Sequence, residues 1–240
     1  MRLPISCMQC LIENNKPSES IALVEFRDDG RYEFICQNGH RTITILQQER
    51  FEILFDIGGH AILDGYYREA VSSFTSSLEQ FYEYFIKVVL LERKTDSASI
   101  DTAWRQIAKR SERQFGAFVI TYLSVFGQSP NVLSNKKVQF RNDVIHRGKI
   151  PSRQEALEYG QAVLDIIRPE LIRLRGKCPE GIQLATFHHL KSCRTEEDQG
   201  RTVGTICMAT ILSWSIGEGI NEPTLEKALL KLEERRRFDV

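Results

Sequence analysis

Hydrophobic and polar positions along this chain follow two different periods. In residues 1–46 the period is close to two. Ile21–Phe26 and Tyr32–Ile35 are short runs rich in β-forming residues, and Thr42-Ile43-Thr44-Ile45 alternates polar with apolar side chains. Between the first two runs, Arg27-Asp28-Asp29-Gly30-Arg31 contains an Asp-Gly pair, a strong signal for a hairpin turn. Three short strands bury too little apolar surface to hold together alone, so a module of this size needs a staple.

From about residue 47 the period becomes helical. Tyr67, Ala70, Val71, Phe74, Leu78, Phe81, Tyr82, Phe85, Val88 and Val89 mostly fall three or four apart, the stripe of a long amphipathic helix. Core packing is the reading for its aromatic residues. A shorter helix is expected before it, from about Gln47 to Leu63, ending at Asp64-Gly65. Another is expected from about Ile100 to Phe126, closed by Gly127 and Pro130, and a fourth from about Asn135 to His146, stopped by Gly148 and Pro151. Ser152-Arg153-Gln154-Glu155 has capping-box spacing, in which a hydroxyl and a carboxylate satisfy free N–H groups reciprocally. The helix it starts should reach Arg175, with Pro169 a candidate kink. Five helices joined by short loops make a bundle. Further on, Gly176–Asp198 is mixed and polar, Val203–Ile216 is apolar enough to be buried, and Glu222-Pro223-Thr224 leads into a charged helix through Leu225, Leu229 and Leu232. The pattern predicts a mainly α chain: a small β module (1–46), a helical bundle (47–175) and an α-rich C-terminal extension (176–240).

Composition narrows the function classes. The chain has 240 residues, with 32 basic against 32 acidic ones, so nucleic-acid binding would have to come from a local patch. No stretch approaches the roughly 20 apolar residues of a membrane span, and the first residues lack the apolar core of a signal peptide. Six cysteines without an export signal suggest a reducing compartment, where thiols serve as metal ligands or core residues. A cytoplasmic protein that does not contact membranes is the expectation.

Four of the metal-binding side chains stand in pairs. Cys7-Met8-Gln9-Cys10 offers two thiols across a tight knuckle, and Cys36-Gln37-Asn38-Gly39-His40 offers a thiol and an imidazole, with 25 residues between the pairs. Zinc takes four such ligands in a tetrahedron. The arrangement resembles a zinc ribbon, with His40 where such ribbons more often carry a fourth cysteine. A site filled by four protein ligands leaves no position for water, so the Zn2+ expected here is structural. Cys178, Cys193 and Cys207 lack paired spacing and read as core or surface thiols; His188 with Cys193 is a weak second candidate. His60, in Gly58-Gly59-His60, reads as a structural histidine.

Phe140-Arg141-Asn142-Asp143-Val144-Ile145-His146-Arg147-Gly148 resembles the signature of HEPN domains, in which an Arg, commonly followed by a polar residue, precedes a His by four to six intervening residues within a helical bundle. Four residues intervene here, and Asn142 fills the polar position. Two long helices before the motif and a capped helix after it extend the resemblance over about residues 48–175. The chemistry is consistent with metal-free RNA cleavage. A histidine accepts and returns a proton near neutral pH, and arginine's planar fork suits a phosphate carrying extra charge. Asn142 could bond the phosphate; Asp143 could hold the histidine's tautomer or pair with an arginine. Glu79 could fix Arg141, although mid-helix glutamates more often face solvent. Lys136, Lys137, Arg141, Arg147, Lys149 and Arg153 stand against one acid, Asp143, within residues 136–153, a local charge of +5 that would attract RNA without reading its sequence.

A step of five residues on one helix separates two side chains by roughly 140° around the axis and about 7.5 Å along it. Either the helix unwinds near His146, or two copies face each other. The resemblance implies the second, a homodimer with a shared cleft, and further implies a toxin or antiviral defence effector. The expectation is therefore a metal-independent endoribonuclease whose zinc module or C-terminal extension positions RNA or a partner protein. The alternative is a non-catalytic RNA- or nucleotide-binding or docking protein of the same fold. A third is a companion to a nucleotidyltransferase carried on a separate chain.

Overall fold

The computed structural model of the chain describes residues 1–16, 21–213 and 224–236. It is mainly helical with a small β region near the N-terminus, and it divides into two compact units. The first comprises residues 1–49 and 186–208; the second comprises 50–185 and 209–240. Residues 176–240 are thus shared between the two. Among the described residues, no helix is long and apolar enough to cross a membrane.

In the first unit, β1 (Arg2–Ser6) buries Leu3 and Ile5 on one face and runs antiparallel to β2 (Ile21–Glu25). Between them lies the short helix α1 (Met8–Asn14). A second sheet contains β3 (Arg31–Ile35), β4 (Arg41–Leu46) and β5 (Val203–Ile206), with β4 in the middle, antiparallel to β3 and parallel to β5. The Asp-Gly turn forms: Gly30 has φ +61 and its N–H reaches the Arg27 carbonyl at 3.1 Å. It does not close a hairpin, however. It links β2 to β3, which lie in different sheets, and the hairpin is β3–β4 with Cys36–His40 as its loop. The physical reason lies in β4, where Thr42 to Leu46 are all buried, so the strand needs neighbours on both edges. The second neighbour comes from far along the chain. Arg31 of β3 pairs with buried Asp198 at 2.5 Å, and Thr202 Oγ1 donates to Gln9 Oε1 of α1 at 2.6 Å.

The second unit is built around α3 (Tyr67–Glu92), whose apolar stripe is buried as the periodicity predicts: Phe74, Phe81 and Phe85 have no exposed surface and Tyr82 has 5%. Helix α2 (Arg50–Leu63), α5 (Ser111–Phe126), α6 (Asn135–His146) and α7 (Arg153–Lys177) pack on it. Tyr82 stacks on Phe118 at 4.4 Å and Phe85 on Tyr122 at 5.6 Å, so the α3–α5 seam is largely aromatic. The single helix expected over 100–126 is two, α4 (Ser97–Ile107) and α5. The chain turns at Ala108–Arg110, where Arg110 is extended and the Gln114 side chain donates to the Ala108 carbonyl. α6 starts and stops where expected: Ser134 caps Lys137 N–H, and Gly148 follows with φ +73. The Ser152–Glu155 capping box is present, and α7 continues through Pro169. The stretch read as mixed and polar contains α8 (Pro179–Ser192) and a short 3-10 turn. α9 (Leu225–Arg236) buries Leu225, Leu229 and Leu232 as expected. Of the remaining expectations, Trp214–Ile216 and Glu222–Pro223 lie outside the described residues.

Candidate functional site

Cys7, Cys10, Cys36 and His40 converge on one point. Their ligand atoms all lie within 4.8 Å of one another, the three cysteines are buried, and the group is positioned to hold a metal ion. Each knuckle sits at the end of a strand. Cys7 follows β1 directly and caps α1, its Sγ accepting from Cys10 N–H at 3.4 Å; Cys10 lies in the first turn of that helix. Cys36 and His40 close the β3–β4 hairpin, where Cys36 N–H reaches the His40 carbonyl at 3.1 Å and Gly39 turns the chain at φ +80. Cys10 Sγ lies 3.8 Å from Cys36 Sγ and 3.3 Å from His40 Nδ1, and Cys7 Sγ lies 3.8 Å from His40 Nδ1.

The surroundings act on the thiols of this cluster in opposite directions. Burial pushes the Cys7 thiol up. Burial also opposes ionisation of Cys36, but hydrogen bonds from the His40 and Asn38 backbone and from its fellow thiols outweigh it and bring Cys36 down to about 7. Two polar neighbours escaped the sequence reading. Glu13 of α1 lies 3.3 Å from His40 Nε2, the ring nitrogen that faces away from the cysteines, and Asn38 Nδ2 donates to Cys10 Sγ at 3.3 Å. A carboxylate on the outer nitrogen orients a ligating imidazole, and N–H donors stabilise thiolate charge. Glu13 became findable only once residues 8–14 were known to be helical. Among the described residues, no second metal-ligating group accompanies this one; Cys178 and Cys193 are buried and Cys207 is exposed.

Arg141 and His146 both lie on α6, which stays helical through His146, so the two are separated as a straight helix dictates. Arg141 lines a cavity of about 220 Å³ between α3, α5, α6 and α7, and its Nε is buried with no hydrogen-bond partner. Glu79 shares that cavity instead of facing solvent; burial holds its carboxyl above the usual carboxylate range, an effect that Arg141 offsets only in part. His146 is exposed in the last turn and is not among the residues lining the cavity. Asp143 accepts from Gln139 at 2.8 Å and Arg147 at 3.0 Å, and Asn142 is half-buried beside Arg141 in sequence. His60 is half-buried, and burial lowers it to about 4, which suits a neutral structural histidine.

The basic residues are more neutralised than the sequence suggests. Lys137 pairs with Glu158 at 3.4 Å, Lys149 with Glu155 at 2.6 Å, Arg153 with Glu226 at 3.5 Å and Arg147 with Asp143 at 3.0 Å. Lys149 also lies 4.9 Å from the centre of the Phe140 ring. The local excess of five falls to two once Glu155, Glu158 and Glu226 are included, while Lys136 stays exposed. Such half-exposed pairs contribute about 0–1 kcal/mol each, so an incoming phosphate can displace the carboxylates. The acids come from α7 and α9, which is why counting along one segment missed them. No family model, no curated protein and no solved structure matches the chain.

Proposed function

We propose that this chain is a HEPN-type, metal-independent endoribonuclease that works as a homodimer, with a structural zinc ion on Cys7, Cys10, Cys36 and His40. The observation carrying the nuclease reading is α6: a capped helix in a bundle that bears Arg141, Asn142 and His146 with four residues between Arg and His, beside a cavity Arg141 shares with Glu79. Zinc is favoured over other metals by the donor set, three thiols and an imidazole. It is also favoured by spacing: zinc–sulfur bonds of about 2.3 Å in a tetrahedron put sulfur atoms about 3.8 Å apart, the distance between Cys10 and Cys36.

In the proposed reaction His146 takes the proton of the ribose 2′-hydroxyl. The 2′-oxygen bonds to phosphorus, the bond to the 5′-oxygen breaks, and His146 returns the proton to the departing oxygen. Arg141 offsets the charge on the non-bridging oxygens, and Asn142 donates to the same phosphate. Asp143, bonded to Gln139 and Arg147, holds Arg147 toward the RNA instead of orienting the histidine. Lys136, Lys137, Arg147, Lys149 and Arg153 exchange their surface carboxylates for phosphates. The zinc unit stabilises the chain and offers a docking surface for RNA or a partner protein. A cytoplasmic defence effector or toxin is the role this activity fits.

Purified protein incubated with total RNA in excess chelator, beside His146→Ala, tests the reading. Cleavage products ending in 2′,3′-cyclic phosphate and 5′-hydroxyl groups, absent from the variant, are expected. Ends carrying 5′-phosphate, or a need for added magnesium, would mean a water nucleophile and another enzyme. A non-catalytic binding role is favoured by one observation, that Arg141 lines a partly open cavity that His146, exposed in the last turn, does not line. RNA retention without cleavage, equal in wild type and His146→Ala, would select it.

A further inference from the structure

The cavity beside Arg141 is not used by cleavage chemistry, and its lining has a definite character. Tyr82, Phe115 and Tyr159 supply aromatic walls, Leu78, Val132, Leu133 and Val138 supply aliphatic ones, and Glu79, Glu112, Ser111, Thr75 and Arg141 bring polar groups. At about 220 Å³ it is smaller than the roughly 300–1,000 Å³ of sites for drug-sized ligands, so one planar ring system fits and a whole nucleotide does not. Two carboxylates against one guanidinium disfavour an anionic guest. They favour a neutral ring that donates hydrogen bonds. Arg141 lines the cavity as well, and its guanidinium has donors only, so a guest that also accepts at that wall is favoured. Thr75 is less available, because its hydroxyl is bonded to the Tyr159 hydroxyl at 2.9 Å and to the Val71 carbonyl at 2.8 Å.

The geometry points to a pocket for a single unstacked guanine base, with Glu79 as the residue that selects it and Val138 at its wall on α6. This inference rests on the endoribonuclease reading for its biological substrate, but base binding itself is independent of cleavage. Guanine is the base that sets two donors side by side, N1–H and N2–H, opposite the two oxygens of one carboxylate. Adenine and cytosine place a ring acceptor beside the amino group, which would meet a carboxylate lone pair, and uracil places its one N–H between two carbonyls. Guanine also carries O6, an acceptor for the Arg141 guanidinium. The remaining N–H groups of the guanidinium stay available to the phosphate next to the base. Single-stranded RNA is read in this manner, by bases turned out of the stack onto aromatic side chains and bonded along their edges.

Calorimetric titration of the full-length protein with the four nucleoside 3′-monophosphates tests the pocket without requiring turnover. Guanosine 3′-monophosphate should bind at least tenfold more tightly than the other three. Glu79→Gln should erase that preference, and Val138→Phe, which fills the cavity while leaving Arg141 and His146 in place, should abolish binding with the helical circular dichroism unchanged. Should Val138→Phe fail to fold, the loss of preference in Glu79→Gln decides alone. Equal binding of all four nucleotides, no binding, or an unchanged preference in Glu79→Gln would overturn the pocket. Guanine-selective binding without RNA cleavage would sink the nuclease reading and keep the pocket. His146-dependent cleavage with no guanine bias at the cut sites and no guanine binding would do the reverse.

Discussion

Cys36 and Glu13 illustrate how differently a ligand and its support should behave. Cys36→Ser removes one of four donors from a buried cluster, and a hydroxyl is a poor substitute for a thiolate. Metal content should fall well below one ion per chain, read by elemental analysis after dialysis. Glu13→Gln keeps all four ligands and loses only the carboxylate 3.3 Å from His40 Nε2. There the metal should remain, bound about 10–100-fold more weakly in competition with a colorimetric chelator. Asp56 of α2 makes a different residue-scale case. It has no exposed surface, its Oδ1 accepts Ile211 N–H at 2.9 Å, and its Oδ2 has no partner among the described residues. Burial raises its carboxyl to about 7. The folded pKa therefore lies above the unfolded value near 3.9. Between about pH 4 and pH 7 the folded chain holds a proton that the unfolded chain has lost, so stability declines as pH rises through that window and levels off above it. Asp56→Asn keeps the Oδ1 acceptor and removes the charge. It should stabilise the chain at pH 8 by roughly 1–3 kcal/mol and do much less at pH 4, measured by urea denaturation at both values.

At the scale of elements, α6 and α7 were the most legible, because their signals are local. Ser134, Gly148 and the Ser152–Glu155 box each act within one turn of the residues they govern. The β elements were read only halfway. The Asp28–Gly30 turn exists, but strand partners are chosen by burial across the chain, and nothing near residue 43 announces that Val203 will lie beside it. The α4–α5 break was hidden for the opposite reason, since apolar spacing runs on past Ala108 while the backbone turns there. Helix contacts depend on small residues that periodicity undervalues. Phe74 of α3 is flanked by Gly58 of α2 and Gly160 of α7, and a Cβ on Gly160 would come within 2.6 Å of both the Phe74 ring and Leu225. With Gly58 on its other side, the ring has nowhere to retreat. Gly160→Ala should therefore destabilise the chain by about 1–3 kcal/mol, although alanine is the better helix former. An unchanged thermal midpoint would show that α2, α3 and α7 are not packed this closely in solution.

At the scale of the molecule, residues 186–208 return to the unit formed by the first 49 residues, since β5 lies beside β4 and Arg31 pairs with Asp198. The metal cluster was legible from spacing alone, whereas the cavity around Arg141 was not, because its walls come from α3, α5, α6 and α7. On the proposed nuclease reading, the same helix geometry makes the strongest demand on assembly. α6 is regular through His146, so Arg141 and His146 of one copy do not meet on one phosphate, and a pair that does meet has to come from two chains. In a twofold dimer the working pairs are then Arg141 of one copy with His146 of the other, two pairs per dimer. Arg141→Ala and His146→Ala should each be inactive alone. Mixed in equal amounts under conditions that let subunits exchange, they form heterodimers in which one of the two pairs is intact. Random exchange makes about half of the dimers heterodimers, each with half of the pairs, so about one quarter of wild-type cleavage should return. A site assembled within one chain would restore nothing on mixing, because no single copy then carries both residues. Recovery that rises with time after mixing and is prevented by crosslinking each variant beforehand would assign the shared cleft to two copies; no recovery, with subunit exchange confirmed by mass, would place the chemistry elsewhere.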